Sequence, residues 1–391
     1  MRRLGPKFWG LTAIRPKSAA TLGLLLIAAI VICAGGLSFS HAVPEKVALT
    51  KGPPSQAFHR QAPPAPADMQ ATLQRIAAGY GEPVGIAVSE VAQGWTAAIA
   101  GDETFPQQSV SKLWVALSVM QAVDDGRLSL DQMVSMGPED RSVFYQPLAS
   151  RIRTSRPLEI SIAELMRHAL IESDNAANDK LIQQVGGPGV VTKTIADKGL
   201  QGLAVGGTER DVQTQTAGLA WRREYGVTWS FKQARAALPD EVRDRALATY
   251  LADPPDGATP DGIVTALAEL KRGKLLSPAS SAFMLDLMTQ ARTGQLRLRA
   301  AVVPGWSLAH KTGTGPDWRG ASVGINDVGL LSAPDGRTFA IAVMIRQTHQ
   351  GPSARHRLMQ SVARAVESYW QASAVPESRQ AHAETGTQPG I

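Results

Sequence analysis

The chain of 391 residues is short of the residue types on which several kinds of chemistry depend. It has one cysteine, Cys33, inside an apolar run near the N-terminus. A single thiol excludes a disulfide framework, and if that run is removed no cysteine nucleophile is left. The seven histidines are scattered, with no H-x-H or H-E-x-x-H pattern, so no metal is expected. A phosphate-binding glycine loop is also missing, and no cofactor is expected. An excess of charge of one sign is lacking too. Of the formal net charge of +6, five come from Arg2, Arg3, Lys7, Arg15 and Lys17. Residues 1–42 carry no acid, so +1 remains for the rest. That leaves no electrostatic footprint for nucleic acid.

What is present begins with those basic residues. They precede an apolar run from Leu22 to Leu37 and then Ser40-His41-Ala42. This reads as an export signal cleaved after Ala42, into the periplasm or outside the cell. The competing reading is an uncleaved anchor in the inner membrane, because the run approaches the ~20 residues of a membrane span. Residues 43–67 form a Pro/Ala-rich linker, and 374–391 a polar tail expected to be disordered. The stretch 68–373 is left as the folded domain, and with 44% hydrophobic residues in the chain it has material for a substantial core.

Met69, Leu73, Ile76 and Tyr80 recur at helical spacing and predict a helix over 68–80. Val84 to Val91 and Trp95 to Ala100 read as strands, and Ser109 to Val123 as a buried helix. Ser161-Ile162-Ala163-Glu164 is a capping box opening a helix to about Ile171. Towards the C-terminus, Trp306 to Thr314, Ser322 to Ser332 and Thr338 to Gln347 are β-rich. The last two flank Pro334-Asp335-Gly336, a hairpin turn, and a helix from Ala354 to Trp370 follows. Strands at both ends with helices between imply one sheet built from both termini. The expected fold is α/β (α+β). A discontinuous antiparallel-sheet part (68–108 and 300–373) accompanies an all-helical part (109–299).

Three short motifs carry the chemistry. Ser109-Val110-Ser111-Lys112 places a hydroxyl and an amine three residues apart, on one face of a helix. A serine hydroxyl is a weak nucleophile until a base takes its proton, and a neighbouring lysine can be that base. Ser173-Asp174-Asn175 adds a second hydroxyl and an amide on a turn. Lys311-Thr312-Gly313-Thr314 adds a cation, hydroxyls and a glycine on a strand. Alone, each is a common pattern of a helix start, a turn or a strand.

Together and in this order, S-x-x-K, S-D-N and K-T-G resemble the class A β-lactamases and penicillin-binding proteins. The resemblance runs from about Asp68 to Trp370. It includes Phe105-Pro106, Ala176-Ala177-Asn178, Gly186-Gly187-Pro188 and the Pro334-Asp335-Gly336 hairpin. It implies Ser109, Lys112 and Ser173 as catalytic residues. It implies Asn175, Lys311, Thr312, Gly313, Thr314 and an aromatic gatekeeper, Tyr145, as substrate-binding residues. A β-lactam is the implied substrate. The alternatives are a DD-peptidase acting on peptidoglycan peptides, and a membrane-tethered sensor that is acylated and stays so.

In class A enzymes a glutamate activates the water that releases the acyl group. Counting on from Ser173 without gaps, the resemblance puts it at Glu209. The run Glu209-Arg210-Asp211-Val212-Gln213 departs from the family pattern of glutamate, two variable residues, leucine and asparagine. Gln213 keeps an amide to support the water, on a side chain longer by a methylene. The stretch 214–258 is about thirty residues longer than the family usually has, well above ordinary loop lengths, and is expected either as a lid or as a packed surface insertion. Asn326 falls where the family often has an arginine for the substrate carboxylate. Arg346 and Arg355 are the candidate substitutes. His310 is expected to be an ordinary strand residue.

Overall fold

The computed structural model describes residues 62–374, apart from 154. The export segment, nearly all of the linker and the tail lie outside the described residues. Among the described residues no helix is long and apolar enough to cross a membrane.

The chain enters through helix α1 (Ala67–Tyr80) and strands β1 (Gly85–Glu90) and β2 (Thr96–Ile99). A two-residue strand, β3 (Phe105–Pro106), leads to a 3-10 turn at Gln108–Ser111 and helix α2 (Lys112–Asp124). Strands β4 (Met133–Met136) and β5 (Leu158–Ser161) pair as a small hairpin before helix α3 (Ile162–Arg167). Helices α4 (Asn175–Val185), α5 (Pro188–Asp197), α6 (Glu209–Thr216), α7 (Thr228–Ala236) and α8 (Asp240–Ala252) follow. Strand β6 (Gly257–Ala258) pairs with β3 and opens helices α9 (Pro260–Lys271) and α10 (Pro278–Thr289). Strands β7 (Ser307–Thr314), β8 (Asp317–Trp318), β9 (Ala321–Ser332) and β10 (Thr338–Thr348) precede helix α11 (Pro352–Ala374).

The main sheet is antiparallel in the order β2-β1-β10-β9-β7, with β8 paired to β9. Strand residues alternate between two cores, as the period of two requires. On β10, Phe339, Ile341, Val343 and Ile345 join α1 and α11, while Ala340, Ala342 and Met344 join the helices on the other face. The small residues Ala87, Ala340 and Ala342 lie on the face that α9 packs against. A sheet covered on both faces explains why β9 and β10 read as near-continuous apolar runs.

The sequence placed 109–299 in a helical part. Within it α9 lies on the sheet, against β1 and β10, whereas α2 packs against α4, α5 and α10. α2 is apolar on all sides because it is buried on all sides. The capping box is made as expected, with Ser161 Oγ accepting from Glu164 N at 3.2 Å. The α-helix it opens stops at Arg167, and a π turn over His168–Glu172 carries the chain to Ser173. The buried helix expected to begin at Ser109 begins as α-helix at Lys112.

The insertion packs beside the cleft described below and not over it. Tyr225, Phe231 and Ala217 form a small core with Val143, and Leu247 and Tyr250 form another with Val212 and Val323. No residue of 214–258 lines the cleft that holds Ser109, which counts against a lid.

Candidate active site

Ser109 sits in the 3-10 turn that joins β3 to α2. The residue before it, Gln108, has φ 52°, a left-handed conformation rare outside glycine, and is held in it from several sides. Its N–H donates to Asp256 Oδ2 at 2.7 Å. Its side-chain oxygen accepts from Gln213 Nε2 at 3.0 Å, and its amide nitrogen donates to the Tyr250 hydroxyl. From the sheet side, Asn326 Nδ2 donates to the carbonyls of Pro106 (2.8 Å) and Gln107 (3.0 Å). Asn326 thus fixes the segment leading to Ser109.

One helical turn on, Lys112 is fully buried. Its Nζ donates to Ser109 Oγ at 2.8 Å, to Asn175 Oδ1 at 2.9 Å and to Glu209 Oε1. Those three acceptors match the three donors of an ammonium group. Glu209 is 6% exposed and opens α6. Its N–H donates to Asp179 Oδ1 at 2.6 Å, and Arg210 N donates to Asp179 Oδ2 at 3.3 Å, so the Asp179 carboxyl group caps the first turn. Burial, and then the nearby Glu209 carboxylate, push Asp179 up to about 7.

Ser173 occupies φ 65°, ψ 33°, a left-handed turn residue between the π turn and α4. Asp174 caps α4 by accepting from Ala177 N at 2.8 Å. Asn175 is oriented by donating to Val143 O at 2.9 Å. Lys311, buried on edge strand β7, donates to Ser173 Oγ at 2.8 Å and to Thr312 O at 3.0 Å. Its burial, reinforced by the Lys112 charge, pushes it well below the usual lysine range. Gly313 is required by contact: a Cβ there would lie 2.2 Å from the Gln107 carbonyl oxygen. His310 is tied to the buried Asp327 at 2.8 Å.

These groups meet at a cleft of about 340 Å³. Ser109, Ser173, Asn175, Thr312 and Thr314 supply polar lining, together with Phe144, the exposed Tyr145 and Gln213. Arg297, which has no sequence signature, lines it too. Its guanidinium donates to Gly313 O (2.9 Å), Asn326 O (2.6 Å) and Thr314 Oγ1 (2.6 Å). The two arginines singled out from sequence lie elsewhere. Arg346 donates to Leu251 O, and Arg355 to Gln350 O. Gln213 Nε2 donates one of its two N–H bonds to Gln108 Oε1, which leaves the second N–H and the oxygen for a water.

The profile of the "Beta-lactamase enzyme family" matches residues 68–370. The chain belongs to that family. Among curated relatives, β-lactamase VEB-1 of Pseudomonas aeruginosa is 24% identical over 288 residues, covering 73% of this chain and 85% of the relative. The extended-spectrum β-lactamase PER-1 of Pseudomonas aeruginosa is 27% identical over 263 residues, covering 67% and 74%. A solved β-lactamase from Chitinophaga pinensis superposes with a TM-score of 0.62 at 25% identity, over 78% of this chain and 99% of that one. The enzyme is therefore a class A-like β-lactamase, with the α/β fold of that group.

Three residues that bear on this β-lactamase's cleft had no signal in the sequence: Arg297, Gln108 and Tyr250. A fourth, Asp179, had a local one, since it lies one helical turn after Asn175 on α4.

Proposed function

We propose that this enzyme hydrolyses the β-lactam ring through an acyl-enzyme on Ser109, released by water that Glu209 activates. The observation that carries the reading is the position of Lys112 Nζ, bonded at once to Ser109, Asn175 and Glu209. Ser109 Oγ attacks the ring carbonyl and gives up its proton to Glu209 through a water, or to Lys112 once Lys112 has passed one of its own protons to Glu209. The N–H groups of Ser109 and Thr314, both on the cleft wall, serve as donors to the oxyanion. As the C–N bond breaks, Ser173 passes a proton to the ring nitrogen and is resupplied from Lys311, its hydrogen-bond partner. Lys311, Thr312, Thr314 and Arg297 hold the substrate carboxylate, and Tyr145 flanks the ring. Glu209, with the Gln213 oxygen as support, then draws a proton from water, which attacks the acyl carbonyl.

The domain reading, an exported catalytic domain over 68–373, belongs to this proposal, as does export through residues 1–42. The test is turnover of a chromogenic cephalosporin by the purified protein and by Ser109→Ala. Sustained turnover that Ser109→Ala abolishes is the expected result. A single stoichiometric burst from the unsubstituted enzyme contradicts the hydrolase and fits a protein that is acylated and stays so.

A further inference from the structure

Beyond Gln213 and Pro316 a second, small cavity of about 20 Å³ shares Phe144, Gln213 and Pro316 with the catalytic cleft as walls. Its far side is built by the insertion, from Arg235 in the last turn of α7 and Arg243 in the first turn of α8. Both arginines are half-buried. The Arg243 guanidinium stacks 3.3 Å over the Trp318 ring, and Arg235 makes one long bond, 3.4 Å, to the Asp317 backbone oxygen.

The neighbouring acids are engaged elsewhere. Asp240 and Asp244 pair with Arg319, Asp244 also accepts from Trp318 Nε1, and the Asp317 carboxylate accepts from Ser322. Among the described residues neither Arg235 nor Arg243 has an ion-pair partner. Burial and then the Arg243 charge lower the Arg235 guanidinium from its usual range, and the Asp317 charge offsets this only in part. Two cations held together are unfavourable, and an anion placed between them reverses the sign of that interaction. The planar fork of a guanidinium matches a carboxylate.

The chemistry of the substrate points the same way. In a β-lactam the ring carboxylate hangs from the nitrogen side of the scissile bond, and the acylamino side chain from the carbonyl side. With the ring carboxylate at Arg297, the side chain leaves the scissile bond on its other side, and Gln213 and Pro316 are the cleft walls across which it reaches the second cavity. We propose that Arg235 and Arg243 form an anion subsite for a carboxylate carried on the substrate's acylamino side chain. The cavity admits about one water-sized group, which suits a carboxylate oxygen and excludes a ring. This rests on the orientation of substrate on Ser109 given above.

The test uses benzylpenicillin and its α-carboxy counterpart, which differ by one carboxylate, with the unsubstituted enzyme, Arg235→Gln, Arg243→Gln and the double variant. Each single variant is expected to lower kcat/KM for the carboxylated compound by about 10–150-fold, the range for one charge-assisted hydrogen bond. Benzylpenicillin turnover should stay within about twofold in Arg235→Gln, which makes one long bond in the folded chain. Arg243→Lys, which keeps a positive charge beside Trp318, should retain part of the preference. If the kcat/KM ratio of the two compounds is the same in all proteins, the subsite is refuted. If no protein turns over either compound, the catalytic reading fails instead. The subsite is then judged by calorimetric binding of both compounds to Ser109→Ala with and without Arg235→Gln: tighter binding of the carboxylated compound that depends on Arg235 upholds it, and equal binding refutes it.

Discussion

Lys112, Ser173 and Lys311 show how little freedom the catalytic side chains have. Lys112 has an acceptor for each of its donors, and Lys311 is bonded to the Ser173 hydroxyl. A buried ammonium is tolerated only with such partners, because an unpaired one costs several kcal/mol. Arg297 differs, since its guanidinium reaches the cleft surface through Thr314. Replacing it by alanine is expected to raise KM for β-lactams about 10–100-fold with a smaller change in kcat, as for loss of an interaction made equally in the ground and transition states. Steady-state kinetics with a cephalosporin measures the split. A fall in kcat with unchanged KM would instead place Arg297 among the groups that act only in the transition state.

At the scale of elements, the 3-10 turn bearing Ser109 is held by parts of the chain far apart in sequence. Asp256 and Tyr250 come from the end of the insertion, Gln213 from α6 and Asn326 from β9. Tyr250 is a positioning residue, because its hydroxyl bonds Gln108 and not the substrate. Tyr250→Phe keeps the ring in its apolar cluster and removes that bond. It is expected to lower kcat for acylation and deacylation together, about 3–30-fold, the loss of one buried hydrogen bond, with KM nearly unchanged. Stopped-flow burst kinetics separates the two steps, and unaltered rates for both would show that Gln108 needs no such support.

The motifs were legible because each is local: S-x-x-K is one turn of helix, and S-D-N and K-T-G are single turn and strand segments. The β-rich apolar runs on either side of Pro334-Asp335-Gly336 likewise revealed the hairpin of β9 and β10, whose register pairs Thr338 with Ser332. Arg297 and Tyr250 were not legible, since each reaches the site only after distant segments have packed. Arg297 is set by the pairing of β7 with β9, and Tyr250 by the docking of α8. The left-handed Gln108 had no signal either, because glutamine gives no hint of positive φ.

For the whole molecule, the buried carboxyls behind the site tie stability to pH. Burial is the main cause that raises Asp179 to about 7 and Asp256 to about 6, against an ordinary carboxyl near 3.8. In the folded chain each keeps a proton that the unfolded chain has released. Their contribution is therefore fully present below about pH 4 and is lost as pH rises through about 6 to 7. Asp179→Asn keeps an oxygen for Glu209 N–H and removes one of these titrations. Thermal melts from about pH 4 to 8 are expected to show a smaller decline for the variant than for the unsubstituted enzyme. Parallel curves would mean that Asp179 does not hold its proton in the folded state.

The central claim is that Glu209 serves deacylation, and intact-protein mass spectrometry tests it most directly. Glu209→Ala and the unsubstituted enzyme would be mixed with a cephalosporin and quenched over seconds to hours. Glu209→Ala is expected to accumulate one covalent adduct, located by digestion on the peptide containing Ser109, and to keep it about 100–10,000-fold longer, the scale of a lost general base. The unsubstituted enzyme should return to its free mass once substrate is consumed. Equally short-lived adducts in both proteins, or an adduct on a residue other than Ser109, would contradict it.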